Sequence, residues 1–399
     1  MTAMQSTSKE TFLGYERPDG RVGVRNHVAV IAVMDNVNPV ARRICAQVPG
    51  TVPVCVAYGR GMIAEDRDQH DRTLINYGMH PNVAATLVIG LEPVTAERFA
   101  RAIADSGKPV EWIAVQPLGG TAKTVARGVE IAARMVEAAA SLKRVSAPLS
   151  ALTIGLECGA SDATSGLTAN SAIGRVADLV IEAGGTAILS ETDEIIGAEH
   201  LLAERATTPE VSAQLLSAVA EAEALARFQG IQLLPLGEDN IMGGLSTMEE
   251  KSMGAVRKGG TSPLVEVVGY GERPSQRGLI FMNAPAPGVE NIAAIAAGGA
   301  QVILFATGVG NPIGHPLVPT VKVTGNPNTA ITFADNIDVD LGGIITGQSN
   351  MDDATKCLKD ALLSVANGAQ TRSEALGDTE ISISRVDVAF LKARRGEIS

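Results

Sequence analysis

HVAVIAV at 27–33 is the first of four short apolar stretches that decide the fold class of this 399-residue chain. The other three are VPVCVAY (52–58), AATLVIGL (84–91) and VEWIAVQ (110–116). Segments with helical periodicity separate them, for example VTAERFARAIADSG at 94–107. Continuous apolar strands that alternate with helices predict a parallel sheet with helices on both faces.

The second half of the chain repeats this alternation with further apolar stretches: LTIGL (152–156), TAILS (186–190), LVEVVGY (264–270), LIFMN (279–283), VILFA (302–306) and TVKVTG (320–325). They predict a second, larger parallel sheet. Between the two halves, KRVSAPLS at 143–150 is polar, contains Pro148 and has no periodicity. The sequence therefore predicts an α/β fold of two parallel-sheet domains, an N-terminal one over residues 1–147 and a C-terminal one over 148–399.

The amino-acid composition limits which kinds of binding partner and which cell compartment fit this chain. The 33 Lys and Arg residues against 44 Asp and Glu give a net charge of −11, which argues against nucleic acid or an anionic membrane as partner. No apolar run is long enough to span a bilayer, and the opening MTAMQSTSKE has no signal-peptide core. The four cysteines show no zinc-like spacing and indicate a reducing compartment. We expect a cytoplasmic protein.

Polar residues cluster after predicted strands, at the edge where open α/β sheets bind ligands. The richest stretch, GLECGASDATSGLTAN at 155–170, supplies a thiol, an acid, hydroxyls and an amide. Both a functional loop and a glycine-rich turn that caps the next helix fit this composition. In SETDEIIGAEHL at 190–201, the acids and His200 fit a divalent-cation or proton-transfer site, but also an ordinary surface helix.

Three other regions carry candidate ligand contacts. The stretch at 243–264 is GGLSTMEEKSMGAVRKGGTSPL. Its two lysines and glycine pair fit an anion-binding site, and they equally fit a solvated helix that ends in a glycine cap. ATGVGNPIGHPLVPTVKVTGN at 306–326 lacks the GxGxxG pattern, which disfavours nucleotide binding. In the first domain, three polar residues follow predicted strands: Asn36, Arg60 and Glu92. They fit the lining of a ligand crevice, and they equally fit ordinary polar loops.

Several motifs, in this order, resemble the altronate and galactarate dehydratase family: RPDGRVGVRN (17–26), HPNVAATLVIGL (80–91), LECGASDATSGLTAN (156–170), GGTAILSETDEIIGAEHLL (184–202), EKSMGAVRKGGTSPLVEV (250–267), YGERP (270–274) and VPTVKV (318–323). The resemblance implies a lyase that removes water from a small anionic hydroxy acid to give an enol and then a keto acid. In the sulfolactate branch the leaving group is sulfite. It also implies a Rossmann-like C-terminal region with a divalent metal site, iron in the family.

The chain departs from the family in three ways. The loop before VPTVKV is altered to NPIGHP, which inserts His315 and leaves open whether the substrate is altronate or galactarate. The chain begins almost at RPDGRVGVRN, so we expect the small β-clip (SAF) domain of long members to be a separate subunit, and the first domain to form a homodimer surface. Three N-terminal loops that carry cysteines in the sugar-acid dehydratases have Asn36 in DNVN, Arg60 in YGRG and no thiol in LEP. Thiolate ligation is therefore excluded at those positions, and the identity of the metal is open.

The resemblance and the chemistry of elimination together predict three groups of site residues. Predicted catalytic residues are Asp162, His200, Lys251 and Lys258, with Asp162 or His200 as the acid–base group and the lysines on the substrate carboxylate. Predicted metal ligands are Cys158, Glu191 and Glu194, although Cys158 also fits a buried structural thiol. Predicted substrate contacts are Arg60, Ser161, Ser165, Thr168, Asn170, Thr261, Thr307, Gly308, His315 and Lys322.

Two questions stay open from the sequence. Arg60 fits a contact to a second anionic group of the substrate, and equally a partner for Glu92 that closes an abandoned metal site. The alternative functions are a sulfolactate sulfo-lyase-like large subunit and a non-catalytic subunit that binds a small anionic metabolite. An unrelated oxidoreductase is the least favoured, because no GxGxxG follows a strand.

Overall fold

A computed structural model describes residues 10–231 and 236–396. The strands within these ranges are β1 (Thr11–Glu16), β2 (Val22–Gly23), β3 (His27–Ala32), β4 (Thr51–Val54), β5 (Val83–Gly90), β6 (Val110–Ala114), β7 (Val145–Pro148), β8 (Thr153–Cys158), β9 (Thr186–Leu189), β10 (Leu264–Val268), β11 (Leu279–Met282), β12 (Val302–Ala306), β13 (Thr320–Thr324) and β14 (Val339–Asp340).

The α-helices are α1 (Asn38–Cys45), α2 (Ala64–Gly78), α3 (Pro93–Ala104), α4 (Val115–Leu118), α5 (Thr121–Ala140), α6 (Ala169–Glu182), α7 (His200–Ala203), α8 (Pro209–Phe228), α9 (Glu238–Met242), α10 (Met248–Ala255), α11 (Gly288–Ala297), α12 (Pro327–Thr332), α13 (Gly343–Thr346), α14 (Met351–Ala366), α15 (Arg372–Leu376) and α16 (Val388–Arg394). None of these helices combines the length and the apolar character needed to cross a membrane.

The first domain contains a four-stranded parallel sheet in the order β4-β3-β5-β6. All eight residues of β5 are buried, as expected for a strand covered on both faces. The edge strand β4 is shorter than predicted: it ends at Val54, and residues 55–58 leave the sheet. The apolar pattern continues there because Cys55 and Val56 are buried by packing outside the ladder.

The second domain contains a seven-stranded parallel sheet in the order β10-β11-β9-β8-β12-β13-β14. The chain leaves β8 towards β9 on one side and returns to β12 on the other. The order therefore reverses between β8 and β12, as in Rossmann-like sheets. The predicted α/β class with two parallel sheets is confirmed. The loops that follow β8, β9 and β12 meet at the carboxyl edge beside this reversal.

The polar stretch predicted to be a boundary forms β7, which pairs antiparallel with β1. Together with β2 these strands form a third, small sheet. Only Ala147 of the four β7 residues is buried, where it faces the buried Phe12 of β1. A four-residue strand with one buried residue shows no period-2 pattern, which explains why the sequence indicated a loop.

The two domains share a hydrophobic core. One cluster joins the first sheet to the face of the second sheet that carries Ile188, Ile303 and α11, and the other cluster covers the opposite face with α6 and α14. Hydrogen bonds cross the junction: the Tyr77 hydroxyl donates to the Ala293 carbonyl at 2.8 Å. Similarly, Asn82 Nδ2 donates to the Leu317 carbonyl at 3.0 Å.

Candidate active site

Five charged or thiol side chains meet at the carboxyl edge of the seven-stranded sheet, and we call them the charge cluster: Cys158, Glu191, Glu194, Lys251 and Lys258. Cys158 is the last residue of β8, and Glu191 follows β9 by two positions. Glu194 lies in a short 3₁₀ turn, Lys251 on α10, and Lys258 in the 3₁₀ turn after α10. All five are buried, with 0% of Lys258 and 7% of Lys251 exposed.

Two ion pairs and the thiol hold the charge cluster together. Lys258 Nζ contacts the Glu191 carboxylate and donates to Cys158 Sγ at 2.7 Å. Lys251 Nζ lies 2.8 Å from Glu194 Oε1, and Cys158 Sγ lies 3.2 Å from Glu194 Oε2. Each ammonium group lies against a carboxyl group, an arrangement in which buried charges are tolerated.

Burial shifts the ionisation of the charge cluster. It raises the pKa of the Cys158 thiol well above the usual range, and the neighbouring Glu191 and Glu194 charges raise it further. Burial also raises the pKa of Glu191 to about 8, against the lowering effect of Lys258. On Lys258, burial opposes the charge, but the surrounding acidic groups raise its pKa above the ordinary value. Lys258 therefore stays cationic, while Glu191 is a more basic carboxylate than an exposed one.

The backbone is strained at two positions of the site. Glu191 (φ 70) and Ala160 (φ 55) are the non-glycine residues in the left-handed region within the described ranges. At Glu191 this conformation accompanies a hydrogen bond from the Cys158 amide to Glu191 Oε2 at 3.3 Å. Such conformations cost about 1–3 kcal/mol each and concentrate at functional sites. Here the strain keeps a carboxylate against the end of β8.

A cavity of about 250 Å³ adjoins the charge cluster. The loop after β8 contributes Ser161, the start of α6 contributes Asn170, and the segment around α10 contributes Lys251 and Arg257. Ser161 Oγ and Asn170 Oδ1 are buried, and no described residue forms a hydrogen bond with either atom. Because Lys251 both lines the cavity and contacts Glu194, it connects the cavity to the charge cluster. Arg257 is exposed, so a guanidinium is available at the cavity rim.

Asp162 organises the loop after β8. Its Oδ1 accepts hydrogen bonds from the Thr164 amide (2.9 Å), the Thr164 hydroxyl (2.7 Å) and the Ser165 hydroxyl (3.0 Å). Its Oδ2 accepts from Asn326 Nδ2 at 2.7 Å. A Cβ on Gly308 would lie 2.4 Å from Asp162 Cγ, so the chain needs glycine there. Both carboxylate oxygens are thus engaged in holding the loop.

The structure brings together the charge cluster and, in the adjoining cavity, Ser161, Asp162, Ser165 and Asn170. Other predicted site residues lie elsewhere. His200 is exposed at the start of α7, and Thr261 donates to Asp178 on α6. His315 is buried against Tyr77. Lys322 is buried over the Phe305 ring, on the face of the second sheet that packs against the first domain.

The remaining predicted contacts pack around the loops or lie in the first domain. The Thr168 hydroxyl donates to the Thr164 carbonyl, and the Thr307 amide donates to the Val323 carbonyl. Gly308 packs against Asp162. Arg60 lines a separate cavity of about 440 Å³ at the carboxyl edge of the first sheet.

Sequence analysis missed three polar residues of the site. Asn240 accepts from Lys251 Nζ at 2.9 Å and donates to the Ser161 carbonyl at 3.0 Å, joining α9 to both segments of the cavity. Glu157, fully buried beside Cys158, is held by Asn291. Asn240 lies outside every motif noted in the sequence, whereas Glu157 lies inside LECGASDATSGLTAN, a motif that marked the stretch but not this residue. Arg257 differs, because it stands beside Lys258 in a stretch already assigned to anion binding.

The donor atoms of Cys158, Glu191 and Glu194 lie within 4.8 Å of one another, a spacing that suits a divalent cation. Glu191 Oε1 is buried without a hydrogen-bond partner among the described residues, so one donor is unused. A thiolate with two carboxylates is a donor set that divalent transition metals accept. Lys258 contacts two of these ligands, however, and competes for the same position.

Comparison with known proteins identifies the family. The family model described as "D-galactarate/Altronate dehydratase, C-terminal" matches residues 149–389, and "D-galactarate dehydratase/Altronate hydrolase, second domain" matches residues 14–140. The chain belongs to the galactarate/altronate dehydratase family. Membership identifies it as a lyase and confirms the resemblance noted from the motifs.

Similar proteins extend over most of the chain. It is 37% identical to the (2R)-sulfolactate sulfo-lyase subunit beta of Chromohalobacter salexigens, over 94% of this chain and 97% of that protein. It is 34% identical to the altronate dehydratases of Bacillus subtilis (80% of this chain, 67% of that protein) and Escherichia coli (94% and 78%). Both hydro-lyases and a carbon–sulfur lyase are thus among its relatives.

Proposed function

We propose that this family member eliminates water from a small anionic hydroxy acid bound in the cavity beside Lys251. The observation that carries the proposal is the position of Lys251, which lines the cavity and pairs with the buried Glu194. Ser161 Oγ and Asn170 Oδ1 are buried polar atoms without described partners, and they suit the hydroxyl groups of such a substrate. Arg257 suits its carboxylate.

Elimination needs a base for the proton on the carbon beside the carboxylate and a positive charge where the enolate forms. We assign the second role to the Lys251 ammonium. Burial opposes its charge, but Glu194 raises the pKa of Lys251, so the ammonium persists at neutral pH. Glu194 is the carboxylate nearest to it, and we assign to Glu194 the transfer of the carbon proton. The hydroxyl on the next carbon takes this proton and leaves as water, the electron pair of the broken C–H bond forms the C=C bond of the enol, and the enol becomes a keto acid.

Lys258 and Glu191 support the pair of Lys251 and Glu194 without contacting the substrate. Lys258 holds Glu191 and the Cys158 thiol, and its fixed positive charge stabilises the acidic groups buried around it. A divalent cation, iron in the family, would be held by Cys158, Glu191 and Glu194, and when bound it would supply a Lewis acid for the leaving group. Asp162 holds the loop that carries Ser161, so its contribution to turnover is through position.

Sulfite is the second candidate leaving group. The 37% identity to a sulfo-lyase subunit that the chain covers almost completely favours it. A sulfonate and a hydroxyl both depart from the carbon next to the abstracted proton, so the same residues serve either reaction. The word "subunit" in that relative's name also supports a small partner chain for this protein. The homodimer surface on the first domain stays a prediction.

Turnover of a substrate panel tests the proposal. Altronate, galactarate and (2R)-sulfolactate are offered to the purified chain, alone and with the product of any small adjacent reading frame, and keto acid and sulfite are measured. We expect one of the three to react, and Lys251→Met to lower kcat by about 100-fold or more. Lys356→Met is the matched control, because Lys356 also forms an ion pair but is 76% exposed.

The outcomes separate the candidate functions. Keto acid without sulfite supports the hydro-lyase, and sulfite release supports the sulfo-lyase. Full activity in Lys251→Met would overturn the assignment of the site. No product from any substrate, with a folded wild-type protein that still binds one of them, would favour the non-catalytic binding subunit.

A further inference from the structure

The opposite edge of the seven-stranded sheet carries a larger cavity, of about 800 Å³, which we call the arginine cavity. It lies where β8 and β9 begin, at Thr153 and Thr186, and both domains line it. Two motifs that the charge cluster does not use reach it: RPDGR contributes Arg21, and YGERP contributes Glu272 and Arg273.

Positive charge dominates the lining of the arginine cavity. Four guanidinium groups line it, from Arg21, Arg72, Arg273 and Arg277, against the single carboxylate of Glu272. Arg21 pairs with Asp19 at 2.6 Å, and Arg72 donates to the Tyr270 carbonyl and lies 3.6 Å from Glu272. These neighbours compensate only part of the charge.

Arg273 forms no ion pair with a described residue, although the charge of Asp19 offsets part of its own. No described carboxylate or carbonyl accepts a hydrogen bond from it. Arg273 and Arg21 line the same cavity, so their like charges face the same space. Burial lowers the pKa of Arg273, the charge of Arg21 lowers it further, and the charge of Asp19 raises it in part. An arginine has five N–H donors in a rigid fork, and a tetrahedral oxyanion between two such forks would remove the repulsion.

The loop that carries Arg273 is fixed from both sides. Asn76 Nδ2 donates to the Gly271 carbonyl at 2.9 Å, which ties the start of the loop to α2. Glu266 accepts hydrogen bonds from the Ser275 and Gln276 amides at 3.0 Å, which ties its end to β10. Pro274 restricts the backbone between them. The backbone of this loop therefore needs little further ordering when a ligand binds, which favours affinity.

We propose that the arginine cavity is a second ligand site, which binds a small phosphate-type oxyanion through Arg273, Arg21 and Arg277. The ligand contacts both domains and therefore stabilises their junction. The site is separate from the charge cluster, since the two lie at opposite edges of the same sheet and share no lining residue. Inorganic phosphate and phosphate esters share this chemistry, and the size of the cavity accommodates either.

Calorimetric titration of the full chain with inorganic phosphate and with pyrophosphate, at constant ionic strength, tests the proposal. We expect one site per chain and a rise in thermal midpoint on binding. Arg273→Gln should weaken binding by about tenfold or more, because one charge-assisted contact is lost. Arg101→Gln is the matched control, since Arg101 is an exposed arginine outside the cavity with a single ion pair.

Lys251→Met separates this site from the proposed active site, and it should bind phosphate as tightly as the wild type. Pyrophosphate binding that exceeds phosphate binding would indicate a phosphate ester as the natural ligand, and equal binding would indicate free phosphate. Absence of saturable binding to the wild type, or equal affinity of Arg273→Gln, would overturn the proposal. Loss of phosphate binding in Lys251→Met, with Arg273→Gln unaffected, would assign the phosphate to the active site instead.

Discussion

Both parallel sheets reverse their strand order at a carboxyl edge, yet the two edges carry different chemistry. At the second sheet, Lys258 and Glu191 are fully buried and paired. At the first sheet, Arg60 and Arg98 are exposed, and Arg98 pairs with the partly exposed Asp71. A reversal of strand order thus provides a location where a site can form. Buried charges and unpartnered polar atoms distinguish the edge of the second sheet, where we place the active site.

Glu92 shows the difference most clearly. It follows β5 at the first edge, as Glu191 follows β9 at the second. Glu92 accepts hydrogen bonds from the Val94 and Thr95 amides at 2.7 and 3.1 Å and caps α3, an ordinary structural role for a carboxylate. Glu191 instead contacts a buried lysine and a thiol.

The largest expected effect comes from Lys258→Met, which leaves the Glu191 carboxylate buried without its cation. Breaking a buried pair costs about 3–5 kcal/mol, so the free energy of unfolding should fall by that amount in urea denaturation. Lys258→Met with Glu191→Gln should recover part of the loss. Arg98→Met, at the exposed pair of the first edge, should cost less than about 1 kcal/mol. Equal effects of the two single variants would contradict the comparison.

Two histidines whose ring Nε2 atoms are buried, His27 and His315, give the next largest effect. Burial lowers the pKa of His27 to about 4 and that of His315 to about 3, from the ordinary 6.5. The unfolded chain therefore binds more protons below pH 6.5, and stability present above that pH is lost as the pH falls towards 4. Between pH 7.5 and 5 each histidine should remove about 2 kcal/mol.

Unfolding measured at both pH values checks this expectation. His315→Asn should reduce the acid loss relative to wild type, whatever it does to stability at pH 7.5. His200→Asn is the control, because His200 is exposed and should leave the pH dependence unchanged. A pH profile that is the same in all three proteins would show that these imidazoles are not the acid-sensitive groups.

Asp162→Asn is expected to act on the loop. The new amide would face the Asn326 Nδ2 donor across the contact now measured at 2.7 Å, so two donors would oppose each other. We expect a loss of about 1–3 kcal/mol and reduced turnover. Asn326→Asp in the same chain restores a donor–acceptor pair, so the double variant should regain stability and activity. If stability returns without turnover, Asp162 takes part in the chemistry directly.

The sequence was sufficient for the two parallel sheets but not for the small antiparallel sheet, and only partly for the site. Strands such as β5 are buried on both faces, so their sequences are continuously apolar. β7 buries one residue, so its sequence shows no apolar pattern. The loop after β8 and the acids after β9 could be predicted to meet, because the carboxyl ends of parallel strands share an edge. Lys251 and Lys258 precede β10, so only the family resemblance and the chemistry of elimination placed them there. The roles of Asn240 and Asp162 could not be predicted, since they depend on hydrogen bonds between segments far apart in sequence.

The smallest expected effect concerns Arg257 and Arg60, two arginines that each line a cavity beside one of the two sheets. Arg257 lines the cavity of the proposed active site, and Arg60 lines the cavity of the first sheet, with no lining residue in common. Arg257→Ala should raise KM by about tenfold, since one charge-assisted contact to the substrate is worth about 1.5 kcal/mol or more. Arg60→Ala should change KM by less than about twofold. If Arg60→Ala raises KM as much as Arg257→Ala, the substrate reaches both sheets, and the first edge is part of the active site after all.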